Sequence, residues 1–224
     1  NIVLNGVDLS LDEGEVVAIL GENGAGKSTL IKILGAIYSG NPEPNWLLGG
    51  GKNTISGAGA TANGIRIIHQ EIILVPGRTI AANVFLGREL RDHLGFMDAK
   101  RMEEETQKVI DDFGLNLKAD QLVGDLSIGM QQLVEIIKAV SADAKIVVMD
   151  EPTSSLSQGE VETLFGIIHQ LQKKKVGIIY ISHRMSSCRF CQDILVFDGG
   201  RLVQRGDHGG LMEEDGIYRK LWAS

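Results

Sequence analysis

The chain has 224 residues, of which 43% are hydrophobic and 23% are charged, and its formal net charge is −7. This length and composition are typical of one large globular domain and argue against an intrinsically disordered chain. The acidic balance argues against nucleic acid as the main partner, because such binding depends on basic surface that neutralises phosphates. No apolar run approaches the roughly 20 residues of a membrane span. Because the sequence shows no basic and apolar leader, we expect no secretory signal.

The first predicted element is a strand over residues 15–20, EVVAIL, whose nearly all-apolar pattern is typical of a buried parallel sheet. The sequence GENGAGKS follows and fits the phosphate-binding pattern G-x-x-x-x-G-K-[ST] between a strand and a helix. Its glycines let backbone N–H groups wrap phosphates, the helix N-terminus adds a favourable dipole, the lysine pairs with the outer phosphates and the serine ligates Mg²⁺. The predicted phosphate-binding residues are Gly21, Glu22, Asn23, Gly24, Ala25, Gly26, Lys27 and Ser28.

The middle of the chain has a different character. Residues 39–64 are rich in Gly, Asn and Pro, with a short apolar stretch at 46–48, which predicts turns and small antiparallel strands. Further on, Asp98 is placed to cap an amphipathic helix that ends at Gly114. The apolar face of this helix comprises Met102, Val109, Ile110 and Phe113. Residues 71–140 therefore predict a helical lobe inserted into a sheet domain.

A second apolar strand, IVVMDE at 146–151, delivers two carboxylates at its C-terminal end, where open parallel sheets bind ligands. In this position Asp150 suits Mg²⁺ and Glu151 suits a water molecule that attacks a phosphate. A helix follows, with Ser157 and Glu160 spaced as a capping box at its start. Its predicted buried face comprises Val161, Leu164, Phe165, Ile168 and Leu171. The next strand, at 177–181, completes a parallel crossover unit.

A further anion site is predicted at LSIGMQQ, residues 126–132, before an apolar-patterned helix. Ser127 and Gly129 at that helix N-terminus offer a free hydroxyl and exposed backbone donors. One chain would then carry two phosphate sites. If one fold cannot bring both onto a single nucleotide, a head-to-tail dimer with twofold symmetry places each nucleotide between the first site of one subunit and the second site of the other.

Together these segments resemble the nucleotide-binding domain of ABC transporters, and most closely the first ATPase half of bacterial sugar importers of the ribose and galactose type. The resemblance runs over nearly the whole chain, through GENGAGKSTLIKIL, IRIIHQE, ANVFLGREL, LSIGMQQLVEI, MDEPTSSL and IYISHRM. It implies an α/β fold in which a P-loop NTPase parallel-sheet core carries a small antiparallel β subdomain and an inserted helical subdomain. Within one domain of residues 1–224, the sheet core would take 1–70 and 141–224 and the helical subdomain 71–140.

The resemblance also implies roles for single residues. Lys27, Ser28 and Thr29 would contact phosphates and Mg²⁺, and Gln70 would sense the metal and couple to the transmembrane subunit. Ser127 and Gly129 would face the partner's γ-phosphate, and residues 154–156 would form a subunit-contact loop. The catalytic set would comprise Glu151 as general base, His183 as the switch histidine at the γ-phosphate, Lys27 and Gln70, with Ser28, Gln70 and Asp150 at the metal.

The implied cofactors are ATP and Mg²⁺, and the implied partners are a second ABC ATPase domain and transmembrane permease subunits. Such a chain is expected in the cytoplasm, at the inner face of the cell membrane. Two rival functions remain open: a soluble ABC ATPase that remodels ribosomes or DNA, and a domain that binds ATP but hydrolyses it poorly.

Some features depart from the family pattern. In the family, an aromatic residue that stacks on adenine usually lies a little before the segment that matches residues 1–10, and no such residue is present in the sequence. Met130 stands where Gln or Gly is usual. The tail, RGDHGGLMEEDGIYRKLW, resembles the end of an exporter-type domain, which leaves a reconstructed sequence open as an alternative. Cys188 and Cys191 form a Cys-x-x-Cys, for which we expect ordinary packing, because no second ligand pair stands at zinc-binding spacing.

Overall fold

The computed structural model describes residues 3–35, 47–48, 51–52, 64–183 and 185–223. Its strands are β1 Val16–Gly21, β2 Leu47–Leu48, β3 Gly51–Lys52, β4 Ile65–Ile68, β5 Ile146–Asp150, β6 Gly177–Ile181, β7 Asp193–Asp198 and β8 Arg201–Gly206. Its helices are α1 Lys27–Leu34, α2 Ile80–Val84, α3 Ala99–Asp112, α4 Ile128–Val140, α5 Gln158–Lys173, α6 His208–Glu213 and α7 Ile217–Ala223. Short 3-10 turns lie at Val123–Asp125 and Met185–Cys188.

Two compact units divide the chain. The first contains Asn1–Ile67, Lys145–Glu151 and Leu171–Ser224, and the second contains Ile68–Ala144 and Pro152–Gln170.

A six-stranded sheet in the order β4-β5-β6-β1-β7-β8 organises the first unit. The strand pairs β5–β6, β6–β1 and β1–β7 are parallel, whereas β7–β8 is antiparallel. All residues of β1 and β6 are buried, because these strands lie in the interior of the sheet order and pack on both faces. This parallel-dominant α/β sheet confirms the predicted fold class.

The predicted strand at 177–181 coincides with β6, while β1 begins and ends one residue after the predicted 15–20. Strand β5 begins at the predicted residue and ends at Asp150, one residue before the end of the predicted 146–151. In the 39–64 region, β2 and β3 pair antiparallel through Leu47 with Lys52 and Leu48 with Gly51. The rest of that prediction, including Trp46, falls between residues 36 and 63 and lies outside the described residues.

The helices of the second unit begin at side-chain caps. Thr79 accepts a hydrogen bond from the Ala82 N–H at the start of α2, and Asp98 accepts one from the Arg101 N–H at the start of α3. Helix α3 ends at Asp112, and Gly114 follows with a φ of +65°. The predicted cap and the predicted end of this helix are confirmed, since a left-handed glycine is a common helix terminator.

Arg88 joins the ends of two helices in the second unit. Its Nη2 donates to the Val84 carbonyl at 2.9 Å, at the end of α2, and its Nη1 donates to the Ser141 carbonyl, just past α4. The guanidinium also lies 4.9 Å from the centre of the Phe85 ring. Carbonyls at helix C-termini lack intrahelical donors, so this cation satisfies groups that would otherwise be left unpaired.

Cys188 and Cys191 are buried in the first unit and form no disulfide within the described part of the chain. Desolvation raises the pKa of Cys188 to about 12, against a smaller lowering by its hydrogen bond with Ser187, and burial raises the pKa of Cys191 further. Both thiols are therefore neutral near pH 7, as packed cysteines are. Within the described part of the chain, no helix combines the length and hydropathy of a membrane span.

Candidate functional site

The glycine-rich loop lies at the C-terminal end of the central strand β1, which ends at Gly21. Gly24 and Gly26 have φ values of +86° and +104°, in the left-handed region where side chains are strained. Gly26 is the N-cap of α1 and forms no side-chain cap. The N–H groups in the first turn of α1 have no intrahelical carbonyl to bond, so this end of the helix favours an anion.

Lys27 is folded back onto this loop. Its Nζ donates to the Gly21 carbonyl at 2.5 Å and to the Glu22 carbonyl at 3.0 Å, and the side chain is 8% exposed. Desolvation lowers the pKa of Lys27, while the charges of Glu151 and Asp150 oppose that shift. The loop therefore holds a cation that donates hydrogen bonds to two neutral carbonyls, next to the N-terminus of a helix.

The other residues of the pattern surround this cation in sequence. Ala25 is buried in the core of the first unit, whereas Glu22 and Asn23 are exposed. Ser28 is exposed and Thr29 is half-buried in the first turn of α1. The exposed residues Glu22 and Asn23 leave the loop open to solvent on one side.

Oxygen ligands for a divalent cation are available in the first unit from the Ser28 hydroxyl and the half-buried Asp150 carboxylate at the end of β5. No cluster of three His, Cys, Asp or Glu side chains that could hold a metal occurs among the described residues. This donor set fits Mg²⁺, which proteins commonly bind through one or two carboxylates together with substrate phosphates.

Glu151 and His183 form a close pair after adjacent parallel strands, β5 and β6. The Glu151 Oε1 lies 2.9 Å from the His183 Nδ1, with 17% and 52% of the two side chains exposed. The backbone of Glu151 has a φ of +48°, and its N–H donates to the Ile181 carbonyl at 2.9 Å. A left-handed non-glycine costs about 1–2 kcal/mol, and such strain concentrates at functional sites.

The second predicted anion site lies in the second unit, at the start of α4. Ser127 is its N-cap, and the hydroxyl accepts the Met130 N–H at 3.1 Å. The expectation of a free hydroxyl is wrong, because the same Oγ also donates to the Glu160 Oε1 at 3.1 Å. A Cβ added at Gly129 would overlap the Glu160 carboxylate. The carboxylate therefore lies directly against the site that we predicted to be open.

Sequence reasoning assigned Glu160 only to a capping box at α5. The structure confirms that contact, since the Glu160 Oε2 accepts bonds from the Ser157 N–H and Oγ, both at 2.8 Å. Its bond to Ser127 joins residues 33 positions apart. No local pattern predicts such a contact, because it requires the tertiary arrangement of α4 and α5.

Gln132, within the LSIGMQQ segment, is a second residue that sequence reasoning did not single out. It is 1% exposed, and its Oε1 accepts a bond from the Ser155 Oγ at 3.2 Å. The contact links α4 to the predicted subunit-contact loop, residues 154–156. Its Nε2 has no hydrogen-bond partner in the described portion of the chain.

Gln70 is exposed and lies just after β4, at a bend in the second unit. Three residues further along the chain, the Ile73 N–H donates to the Glu135 Oε1 of α4 at 2.9 Å. Its predicted metal-sensing role stays a prediction.

Comparisons with known proteins identify the family. A family model described as ABC transporter matches residues 4–154. The ribose import ATP-binding protein RbsA of Caldanaerobacter subterraneus subsp. tengcongensis is 44% identical over 214 residues, which are 95% of this chain and 43% of the relative. Its counterpart from Bacillus licheniformis is 43% identical over 91% of this chain and 41% of the relative. The chain thus spans less than half the length of these relatives.

Solved structures show the same fold. An ATP-binding cassette of an ABC transporter in its ADP conformation superposes with a TM-score of 0.83 at 23% identity, over 99% of this chain and 92% of that one. A bacterial Atm1-family ABC exporter with ATP bound gives 0.80 at 26% identity, over 99% of this chain and 38% of that one. The glycine-rich loop, the Asp150 and Glu151 carboxylates at the end of β5 and these matches agree, and the chain belongs to the ABC transporter family.

Proposed function

We propose that this chain binds ATP with Mg²⁺ and hydrolyses the γ-phosphate, with Glu151 as general base. The observation that carries the proposal is the Glu151–His183 pair, at 2.9 Å. The two residues follow β5 and β6, and β6 pairs with β1, the strand that ends in the glycine-rich loop. The printed names of the relatives, ribose import ATP-binding proteins, support ATP as the nucleotide.

In the proposed reaction, a water oxygen bonds to the γ-phosphorus as the bond from phosphorus to the β-bridging oxygen breaks, so that ADP leaves. Glu151 accepts the water proton, and His183 orients that carboxylate through its Nδ1. Lys27 exchanges its two carbonyl partners for phosphate oxygens and stabilises the charge that develops on them. Ser28, Asp150 and Gln70 would hold Mg²⁺, which neutralises charge on the outer phosphates.

We further propose that two such domains pair head to tail, each nucleotide lying between the glycine-rich loop of one subunit and Ser127 and Gly129 of the other. Two anion sites at separate helix N-termini in one chain support this arrangement. Through transmembrane permease subunits at the inner face of the cell membrane, the pair would drive transport of a sugar-like solute. The relatives' names support a sugar cargo.

The test is the mass in solution of the Glu151→Gln variant, measured by light scattering with and without Mg-ATP. Glutamine keeps the size of the side chain but cannot accept the water proton, so a paired, ATP-bound state should accumulate. We expect a monomer without nucleotide and a dimer with Mg-ATP. A monomer under both conditions, with ATP bound, would contradict the paired arrangement.

The rival reading is a domain that binds ATP but hydrolyses it poorly. Phosphate release by the unmodified chain distinguishes the two. Turnover that disappears in Glu151→Gln supports hydrolysis, whereas ATP binding without turnover supports the rival.

A further inference from the structure

The Glu160 carboxylate is held between two helix starts in the second unit. Its Oε2 accepts both the Ser157 N–H and the Ser157 Oγ, at the beginning of α5. Its Oε1 accepts the Ser127 Oγ, at the beginning of α4. Each carboxylate oxygen therefore accepts hydrogen bonds from the N-terminus of a different helix.

The contact with α4 goes beyond one hydrogen bond. Both carboxylate oxygens and the carboxyl carbon lie where a side chain on Gly129 would begin, so the carboxylate packs against the bare Cα of Gly129. Ser127 and Gly129 are the two residues that a phosphate would contact at this helix start. An anion of the chain itself thus covers the position that an incoming phosphate needs.

The carboxylate is ionised near neutral pH. Its pKa is lowered first by the hydrogen bond from the Ser157 N–H, then by the bond from the Ser157 hydroxyl and, less, by the bond from Ser127. A second anion at the same place would be repelled by this charge.

We propose that Glu160 is an internal anion that occupies the site at Ser127 and Gly129 in the nucleotide-free chain and must withdraw before a phosphate binds there. The inference rests on the proposed function, in which that phosphate belongs to the partner's nucleotide. Withdrawal breaks the single bond from Ser127, whereas the two bonds from Ser157 can persist through Oε2 as the side chain rotates. Glu160 would then keep α5 capped in both states.

The first experiment follows the Gly129 amide signal by NMR while inorganic phosphate is added to the nucleotide-free monomer. Glu160→Gln removes the charge but keeps an oxygen that can accept the Ser157 N–H. We expect a saturable shift of the Gly129 signal in this variant and little shift in the parent. The matched control is Glu162→Gln, which removes an exposed carboxylate from the same helix and should behave as the parent does.

A second variant, Glu160→Asp, keeps the inference testable if Glu160→Gln does not fold. Glu160→Asp keeps the charge and a capping group but is one methylene shorter, so its carboxylate is withdrawn from Gly129. It should also let phosphate shift the Gly129 signal. Identical phosphate responses in the parent and in both Glu160 variants would overturn the inference.

The second experiment measures the ATP concentration that gives half-maximal dimer in the Glu151→Gln background. Loss of one competing charge near the surface should lower that concentration about two- to fivefold for Glu160→Gln relative to Glu162→Gln. An unchanged or higher midpoint would count against Glu160 as a competitor. If no variant dimerises but phosphate still shifts Gly129 only in the Glu160 variants, the paired arrangement fails while the internal anion stands.

Discussion

The two predicted anion sites both lie at helix N-termini, but the charged groups that the structure places there have opposite signs. At the start of α1, the charged group is the Lys27 ammonium, bonded to two backbone carbonyls. At the start of α4, it is the Glu160 carboxylate, bonded to the N-cap Ser127. We therefore expect the first predicted site to attract a phosphate in the nucleotide-free chain and the second to repel one. We infer that the first site determines whether nucleotide binds, and the second determines when a subunit pair can close on it.

The strongest test of this contrast is whether the hydrolytic chemistry resides in the first unit. Glu151→Gln removes the proposed proton acceptor, so we expect the rate of phosphate release to fall by about 10²- to 10⁴-fold. ATP affinity should change little, because in the proposed reaction Glu151 contacts the attacking water and not the nucleotide. A phosphate-release assay measures the rate, and equilibrium ATP binding measures the affinity.

Glu162→Gln is the matched control, since it makes the same chemical change at an exposed position of α5. It should retain the parent's rate. Equal rates in Glu151→Gln and the parent would remove Glu151 from the base role and leave its strained backbone unexplained.

Much of the first site follows from sequence because its residues are close along the chain. The eight residues from Gly21 to Ser28 run from the last residue of β1, through the connecting loop, into the first two residues of α1, so a local sequence pattern covers all of them. The pairing of Glu151 with His183 follows less directly, since it depends on β5 and β6 being neighbours in the sheet. The positive φ of Glu151 had no sequence signal, because left-handed backbone is expected at glycine or asparagine.

The second site shows what sequence alone misses. The pattern LSIGMQQ correctly predicted a helix start at Ser127, and the Ser-x-x-Glu spacing correctly predicted the start of α5. Each motif was interpreted with respect to its own helix. Only the packed second unit brings Glu160 against Ser127 and Gly129, and so turns a predicted open site into a filled one.

A smaller effect is expected at the cation of the first site. Lys27→Ala removes a charged donor to phosphate oxygens, and such hydrogen bonds contribute about 1.5–3 kcal/mol, or roughly 10- to 150-fold in ATP affinity. Equilibrium binding of a fluorescent ATP analogue measures the loss. Lys32→Ala, in the exposed last turn of the same helix, is the control and should bind as the parent does. Equal affinities in the two variants would mean that Lys27 remains on its backbone carbonyls when nucleotide binds.

Smaller still is the contribution of the cap at the second site. Ser127→Ala leaves the Met130 N–H without its side-chain acceptor, and should lower the free energy of unfolding by about 1 kcal/mol. Ser127→Gly should cost only a few tenths of a kcal/mol, because glycine is tolerated at N-caps. Urea denaturation of the nucleotide-free protein compares them. Equal losses in the two variants would show that the lost bond to Glu160, common to both, outweighs the cap.

The smallest expected effect is the pH dependence of the stability that Glu160 contributes at the second predicted site. Since folding lowers the pKa of Glu160, the carboxylate adds stability that is complete well above the ordinary glutamate value of 4.5 and is lost as the pH falls through its folded value. The exposed setting limits this contribution to under about 1 kcal/mol. In urea denaturation between pH 7 and pH 3, the parent should lose its advantage over Glu160→Gln as the pH falls. A constant difference across that range would mean that the ionised carboxylate is not what holds α4 and α5 together, and the second site would then be closed by packing instead of by charge.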